Sequence, residues 1–200
     1  MFIRQIKTGF LDVFTYIIGC EESKTAAVID PGGDAELIAD EAKAAGFTIR
    51  YIINTHGHPD HTAGNQALIK LTGASVVMHR LEPGSRSADI QLGDETELAV
   101  GTIAVRIYHT PGHTPGGICL YAEGDLFTGD TLFVGDSGRT DLAGGDRKAL
   151  GASIRMLMND LPDETVVWPG HDYGPTPSST LGWEKLHNVN AKEYGYYVGR

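Results

Sequence analysis

Thr55-His56-Gly57-His58-Pro59-Asp60-His61 places three histidines and a carboxylate in the six positions 56–61. Imidazole nitrogen and carboxylate oxygen together suit zinc and other borderline first-row metals. The chain has 8 His in 200 residues, so a His-x-His-x-Asp-His pattern arises by chance in about one such chain in a thousand. The competing reading is a solubilising His-rich loop or an incidental surface site. Gly57 and Pro59 argue against it, because they make a tight turn rather than a floppy tract.

Adjacent side chains cannot surround an ion, so further donors must come from elsewhere. Three candidates stand out: His113 in His109-Thr110-Pro111-Gly112-His113-Thr114, Asp130 in Thr128-Gly129-Asp130-Thr131, and His171 in Pro169-Gly170-His171-Asp172-Tyr173. Each is weak alone, since a lone loop histidine is more often ordinary surface. Together they share a pattern with the first cluster. Each follows an apolar, strand-like run: Tyr51–Ile53, Val105–Tyr108, Leu126–Thr128 and Val166–Trp168. Loops leaving strand ends can converge on one sheet edge. His79, His109 and His187 remain, and they read as structural or surface residues.

Working outward, short β runs are expected at Phe2–Lys7, Thr15–Gly19 and Ala26–Asp30, ended by Pro31-Gly32-Gly33. Asp34 is the expected cap of a helix over Ala35–Ala45, with Gly46 as its stop. Arg50–Ile53 reads as a strand, Ala63–Thr72 as a helix ending at Gly73, and Ser75–Met78 as a strand. Further strands are expected at Thr96–Val100, Ile103–Tyr108, Ile118–Ala122, Leu126–Thr128 and Val166–Trp168. Asp146 is placed to cap a long helix whose Leu150, Ile154, Leu157, Met158 and Leu161 share one face. The tail from Leu181 to Arg200, with Trp183, Tyr194, Tyr196 and Tyr197, reads as one helix and a terminal segment. Alternating helices and strands indicate an α/β architecture. Without a repeat, low-complexity stretch or linker, residues 1–200 read as a single domain.

Hydrophobic residues make up 41% of the chain, enough for a sizeable core. The net charge of −10, from 26 acidic and 16 basic residues, disfavours a broad nucleic-acid or anionic-membrane surface. Apolar runs are too short to span a bilayer, and Met1–Ile6 alternates like a strand rather than an export signal. Cys20 and Cys119 lie in apolar stretches and read as buried free thiols, which fits a cytoplasmic protein.

The ordered set His56 to His61, His113, Asp130 and His171 resembles the metallo-β-lactamase superfamily over nearly the whole chain. The resemblance implies a four-layer αββα sandwich with the metal site at one edge of the two sheets. It implies two divalent ions, zinc foremost with iron or manganese as alternatives. His56, His58 and His113 would hold one, Asp60, His61 and His171 the other, and Asp130 would bridge them. Two nearby cations repel, and a shared carboxylate and a shared hydroxide offset that repulsion. Water bound in this way ionises near neutral pH and becomes a nucleophile, so no Ser or Cys nucleophile is needed. Asp60 is also the candidate catalytic residue, orienting the hydroxide or accepting its proton.

Many β-lactamases of this fold are exported and carry Cys where Asp130 stands here. The closer resemblance is to glyoxalase II, its thioesterase relatives and the persulfide dioxygenases. It rests on the 109–117 segment, on Thr128-Gly129-Asp130-Thr131-Leu132-Phe133, on Gly138-Arg139-Thr140-Asp141 and on Gly170-His171-Asp172-Tyr173. In such relatives the positions of Arg139 and Tyr173 contact a glutathione-type thiol moiety. A guanidinium suits a substrate carboxylate and a phenol suits a peptide carbonyl. The competing readings are an ion pair of Arg139 with Asp136 or Asp141, and simple packing for Tyr173. The segment after His171 is too short for the C-terminal helical domain of glyoxalase II, which points to a more open thioesterase. The function implied is hydrolysis of a small-molecule thiol ester such as S-D-lactoylglutathione by metal-bound hydroxide. The alternative is a persulfide dioxygenase with a single Fe(II) held by His56, His113 and Asp130. Against that alternative, Leu142-Ala143-Gly144-Gly145 stands where Phe-Gln is expected after such a run. A nuclease or a non-catalytic binding protein fits less well.

Overall fold

All eight residues of Val13–Cys20 are buried, yet alternate side chains enter different cores. Phe14, Tyr16, Ile18 and Cys20 face a second sheet, while Ile17 faces helices on the opposite side. This period of two, with both faces covered, organises the molecule in layers.

The structure is a computed structural model and describes residues 1–9, 11–93 and 96–195. The first sheet contains β1 (Phe2–Thr8), β2 (Val13–Cys20), β3 (Thr25–Ile29), β4 (Thr48–Ile53), β5 (Ser75–His79) and β6 (Ile90–Leu92), paired in that order. The second contains β7 (Glu97–Val100), β8 (Ile103–His109), β9 (Ile118–Ala122), β10 (Asp125–Gly129), β13 (Val166–Pro169) and β14 (Ser179–Thr180). Its order is β14-β13-β10-β9-β8-β7, and β11 (Leu132–Phe133) and β12 (Asp136–Ser137) form a small hairpin. Helices α1 (Ala35–Ala44) and α3 (Asn65–Thr72) cover the outer face of the first sheet through Ile38, Ala42 and Leu68. Between them in sequence lies the single turn α2 (Pro59–Thr62). Helices α4 (Arg147–Asp160), α5 (Leu181–His187) and α6 (Ala191–Tyr194) lie along the other outer face, where Leu150, Ile154, Leu157, Leu181 and Tyr194 pack. The result is the αββα sandwich expected from the sequence. No helix among the described residues is long and apolar enough to cross a membrane.

Cys20 and Cys119 are buried free thiols in different layers, the first between the sheets and the second under α4. Burial raises the Cys119 thiol to about 11.

Several local expectations change. The helix expected over Ala63–Thr72 starts two residues later, at Asn65, and a separate turn that the sequence reading did not include precedes it, with Pro59 at its N1 position. Asp34 precedes α1 in a left-handed conformation with no capping bond, and its carboxylate instead accepts from Gly9 N at 3.0 Å. Strands β6, β11, β12 and β14 have two or three residues each, too short for a periodic signal. Tyr196 and Tyr197 lie outside the described residues.

Asp146 caps α4 as expected, its side chain accepting from Lys148 N and Ala149 N. Asp146→Ala is expected to cost about 1 kcal/mol and to lower the melting temperature by roughly 2–4 °C. Thermal denaturation followed by circular dichroism checks this.

The two sheets are tied together at one edge. Ile118 N donates to Thr55 O at 2.9 Å, and Phe14 N donates to Gly170 O at 2.9 Å. Tyr16 Oη donates to Pro169 O at 2.6 Å. Strands β4, β8, β10 and β13 deliver their following loops to this edge.

Candidate metal centre

All seven donors expected from the sequence converge there. Pro59 keeps His58 extended (φ −64°, ψ 145°) before the one-turn helix that carries Asp60 and His61. The turn divides the cluster. His58 is directed to one group of donors, and Asp60 and His61 to another.

In the first group, His58 Nδ1 lies 3.1 Å from His56 Nε2 and 2.9 Å from His113 Nε2. In the second, His61 Nε2 lies 3.2 Å from His171 Nε2, and Asp60 Oδ2 lies 3.7 and 3.5 Å from those two nitrogens. Asp130 stands between the groups, its Oδ1 3.3 Å from His61 Nε2 and its Oδ2 3.4 Å from His113 Nε2 and 3.5 Å from His171 Nε2. Nitrogens bound tetrahedrally to one zinc sit about 3.3 Å apart, given bonds of about 2.0–2.1 Å. The observed separations, from 2.9 to 3.7 Å, bracket that spacing, so each group could surround an ion.

The surroundings orient four of the five histidines, all but His58. His113 Nδ1 donates to Arg139 O at 2.7 Å, and His171 Nδ1 donates to Leu11 O at 3.0 Å. Thr55 Oγ1 gives its own proton to Asp30 Oδ2 at 2.5 Å and so accepts from His56 Nδ1 at 3.1 Å. His61 Nδ1 meets Asp30 Oδ2 at 3.0 Å. Each bond leaves Nε2 facing inward, as ligand imidazoles require.

Burial pushes the His56 imidazole well below its ordinary pKa, with the neighbouring His61 adding to the effect. Burial lowers His58 too, reinforced by His113. Burial would also lower His61, but the Asp130 and Asp30 carboxylates outweigh it and hold that imidazole well above its ordinary value. Burial would raise Asp130, yet the charge of His61 brings it well below the usual carboxylate range.

A divalent cation fits this donor set. Asp130 Oδ1 is buried without a hydrogen-bond partner, a costly state for a carboxylate oxygen unless a cation meets it. His/Asp groups able to hold an ion include His56, His58 and His113, and separately Asp60, His61 and His171.

Two buried carboxylates near the donors were missed from the sequence. Asp30 directly follows β3 and accepts from Thr55 N at 2.7 Å as well as from the Thr55 hydroxyl. Its signal was available, because it follows an apolar strand as Asp130 does. Glu82 accepts from Gly57 N, Thr114 Oγ1 and Gly116 N. In sequence it is an unremarkable charge in a Leu-Glu-Pro turn. His79 and His109 stack on each other with centroids 4.2 Å apart, and His187 stacks on Trp183, so none of the three joins the donor groups.

The donors open into a cleft of about 450 Å³ with Leu11, Phe133, Leu142 and Tyr173 among its walls and Arg139 at its rim. Arg139 forms a two-pronged ion pair with Asp141, 2.7 Å on each prong, in an exposed position. The ion pair foreseen as the competing reading thus exists, on a residue that also faces the cleft. Tyr173 stacks on His171 at 4.5 Å and is 60% exposed.

Residues 8–171 match the family model of the metallo-beta-lactamase superfamily. The chain belongs to that superfamily. It is 39% identical over 180 residues to a hydroxyacylglutathione hydrolase from Polaromonas sp., covering 86% of this chain and 67% of that protein. It is 34% identical over 194 residues to the mitochondrial persulfide dioxygenase ETHE1 of Homo sapiens, covering 93% of this chain and 74% of that one. The crystal structure of ETHE1 from Myxococcus xanthus superposes with a TM-score of 0.91 at 32% identity, covering 99% of this chain and 88% of that chain. The chain spans about two thirds of the length of the hydroxyacylglutathione hydrolases it matches, 67% and 62% for two of them. The chain is thus a superfamily member with candidate His/Asp metal-binding groups, and its relatives divide between hydrolase and dioxygenase.

Proposed function

We propose that this chain is a metal-dependent thioesterase of the hydroxyacylglutathione hydrolase type, acting on a small thiol ester. One observation carries the reading: the Asp130 carboxylate lies between two three-donor groups, within 3.3–3.5 Å of nitrogens from both. In this reading His56 Nε2, His58 Nδ1 and His113 Nε2 hold one ion, zinc by preference, and Asp60, His61 and His171 hold a second, with Asp130 shared. Such ions supply an acidified water as nucleophile and polarisation of the acyl carbonyl.

The side chains do the rest. Asp60, with 16% of its side chain exposed, reaches the cleft and can orient the attacking water or take its proton. Arg139 is poised to exchange Asp141 for a carboxylate of the thiol portion, since an exposed ion pair contributes only about 0–1 kcal/mol. The Tyr173 phenol, stacked on His171, offers a donor to a substrate carbonyl.

A second reading has its own support in the likeness to the ETHE1 structure: one Fe(II) on His56, His113 and Asp130, acting on glutathione persulfide. The position of His58 Nδ1, 2.9 Å from His113 Nε2, favours a three-histidine site instead. Metal analysis of protein purified without added metal, combined with two assays, separates the readings. Two zinc ions per chain with turnover of S-lactoylglutathione is the expected result. One iron per chain with oxygen uptake on glutathione persulfide overturns the thioesterase reading. His58→Ala is expected to lower hydrolysis by at least about a hundred-fold, given the several kcal/mol that a catalytic ion supplies. Its circular dichroism should remain that of the wild type.

A further inference from the structure

Glu82 lies outside both donor groups and is 4% exposed. Its Oε1 accepts from Gly57 N at 2.9 Å, and its Oε2 accepts from Thr114 Oγ1 at 2.7 Å and Gly116 N at 3.0 Å. Gly57 separates His56 from His58, and Thr114 follows His113. One buried carboxylate therefore ties together the two loops that carry all three histidines of the first group. These loops come from different sheets, after β4 and β8, so local structure does not fix their relative position. The fit is close on both sides. A Cβ on Gly57 would meet Glu82 Oε1 at 3.1 Å, and a Cβ on Gly116 would meet Glu82 N at 2.2 Å. No hydrogen bond from Glu82 reaches Asp60, His61 or His171 among the described residues.

We propose that Glu82 is a positioning residue for the first ion site alone, clamping the His56-Gly57-His58 and His113-Thr114 loops at the spacing that lets three imidazoles share one ion. The proposal rests on the two-site reading above and assigns the clamp to one of the two sites. Its physical basis is that groups orienting metal ligands are typically worth 10–100-fold in affinity. Two backbone amides and a hydroxyl converging on one carboxylate also leave little freedom in the loops.

Cobalt(II) titration of metal-free protein, followed by its visible absorption, tests the assignment. His171→Ala leaves the first group complete, and His58→Ala leaves the second complete. Adding Glu82→Gln, which keeps the shape and removes the charge, is expected to weaken cobalt binding roughly 10–100-fold in the His171→Ala background. In the His58→Ala background it should change binding by less than about two-fold. Thr114→Val, which removes one of the three donors, should produce a smaller loss with the same selectivity. Equal weakening in both backgrounds would reduce Glu82 to a general stabiliser and overturn the proposal, as would no weakening in either. Failure of the wild-type chain to bind two cobalt ions would instead overturn the two-site reading. Matching circular dichroism of the metal-free variants excludes unfolding as the source of any loss.

Discussion

Asp130→Asn is expected to lower kcat/KM on S-lactoylglutathione by on the order of a thousand-fold or more while the protein stays folded. The carboxylate lies within 3.5 Å of nitrogens from both donor sets, and its Oδ1 is buried without a hydrogen-bond partner. Asparagine keeps the shape but removes the charge and replaces one oxygen with a donor, which then faces His61, His113 or His171. Stabilisation of transition-state charge by a catalytic metal is worth several kcal/mol, and each 1.36 kcal/mol is ten-fold in rate. The variant should also retain less than the wild-type complement of metal. Steady-state kinetics with metal analysis on the same preparation read both effects. Activity within ten-fold of wild type, with full metal content, would show that the carboxylate does not link two ions.

Gly138→Ala is expected to be nearly as damaging although it replaces none of the donor residues. A Cβ at this position would lie 1.8 Å from the carbonyl oxygen of Asp130 and 3.3 Å from His113 Nδ1. The obstacle is backbone, which cannot swing aside, so Asp130 or the 138–139 segment must move. Such overpacking typically costs 1–3 kcal/mol in stability. A displacement of about 1 Å at a reacting centre can cost about a hundred-fold in rate. Because His113 Nδ1 also donates to Arg139 O, the shift disturbs one ligand of the first group together with the shared carboxylate. The expected outcome is a fall in kcat of about a hundred-fold or more, with a melting temperature only several degrees lower. A melting temperature and kcat both near wild type would mean that the loop accommodates the methyl group freely.

The legible parts of this site were those where chemistry and chain pattern coincide. His56, His113, Asp130 and His171 each follow an apolar strand, and in the structure each lies just past β4, β8, β10 or β13 at the shared edge. Alternation along β2, β8 and β9 sorts residues between layers, with Cys119 and Leu120 on opposite faces of β9. Pro59 carried a signal that the helical reading of residues 63–72 overlooked: a proline after an extended residue begins a helical turn. Asp34 shows the opposite case, a good capping residue drawn away by a backbone amide from the β1–β2 turn. Glu82 was not legible at all. Its meaning comes from Gly57 and Gly116, far away in sequence, and no local periodicity encodes a bond between loops of different sheets. The bond from Ile118 N to Thr55 O that closes the sandwich at the metal edge is hidden from sequence for the same reason.

Anomalous scattering from crystals of the zinc-loaded protein tests the central claim most directly. Two peaks are expected, one enclosed by His56, His58 and His113 and the other by Asp60, His61 and His171, with the Asp130 carboxylate between them. A single peak ligated by His56, His113 and Asp130 alone, or zinc bound elsewhere on the chain, would contradict the account.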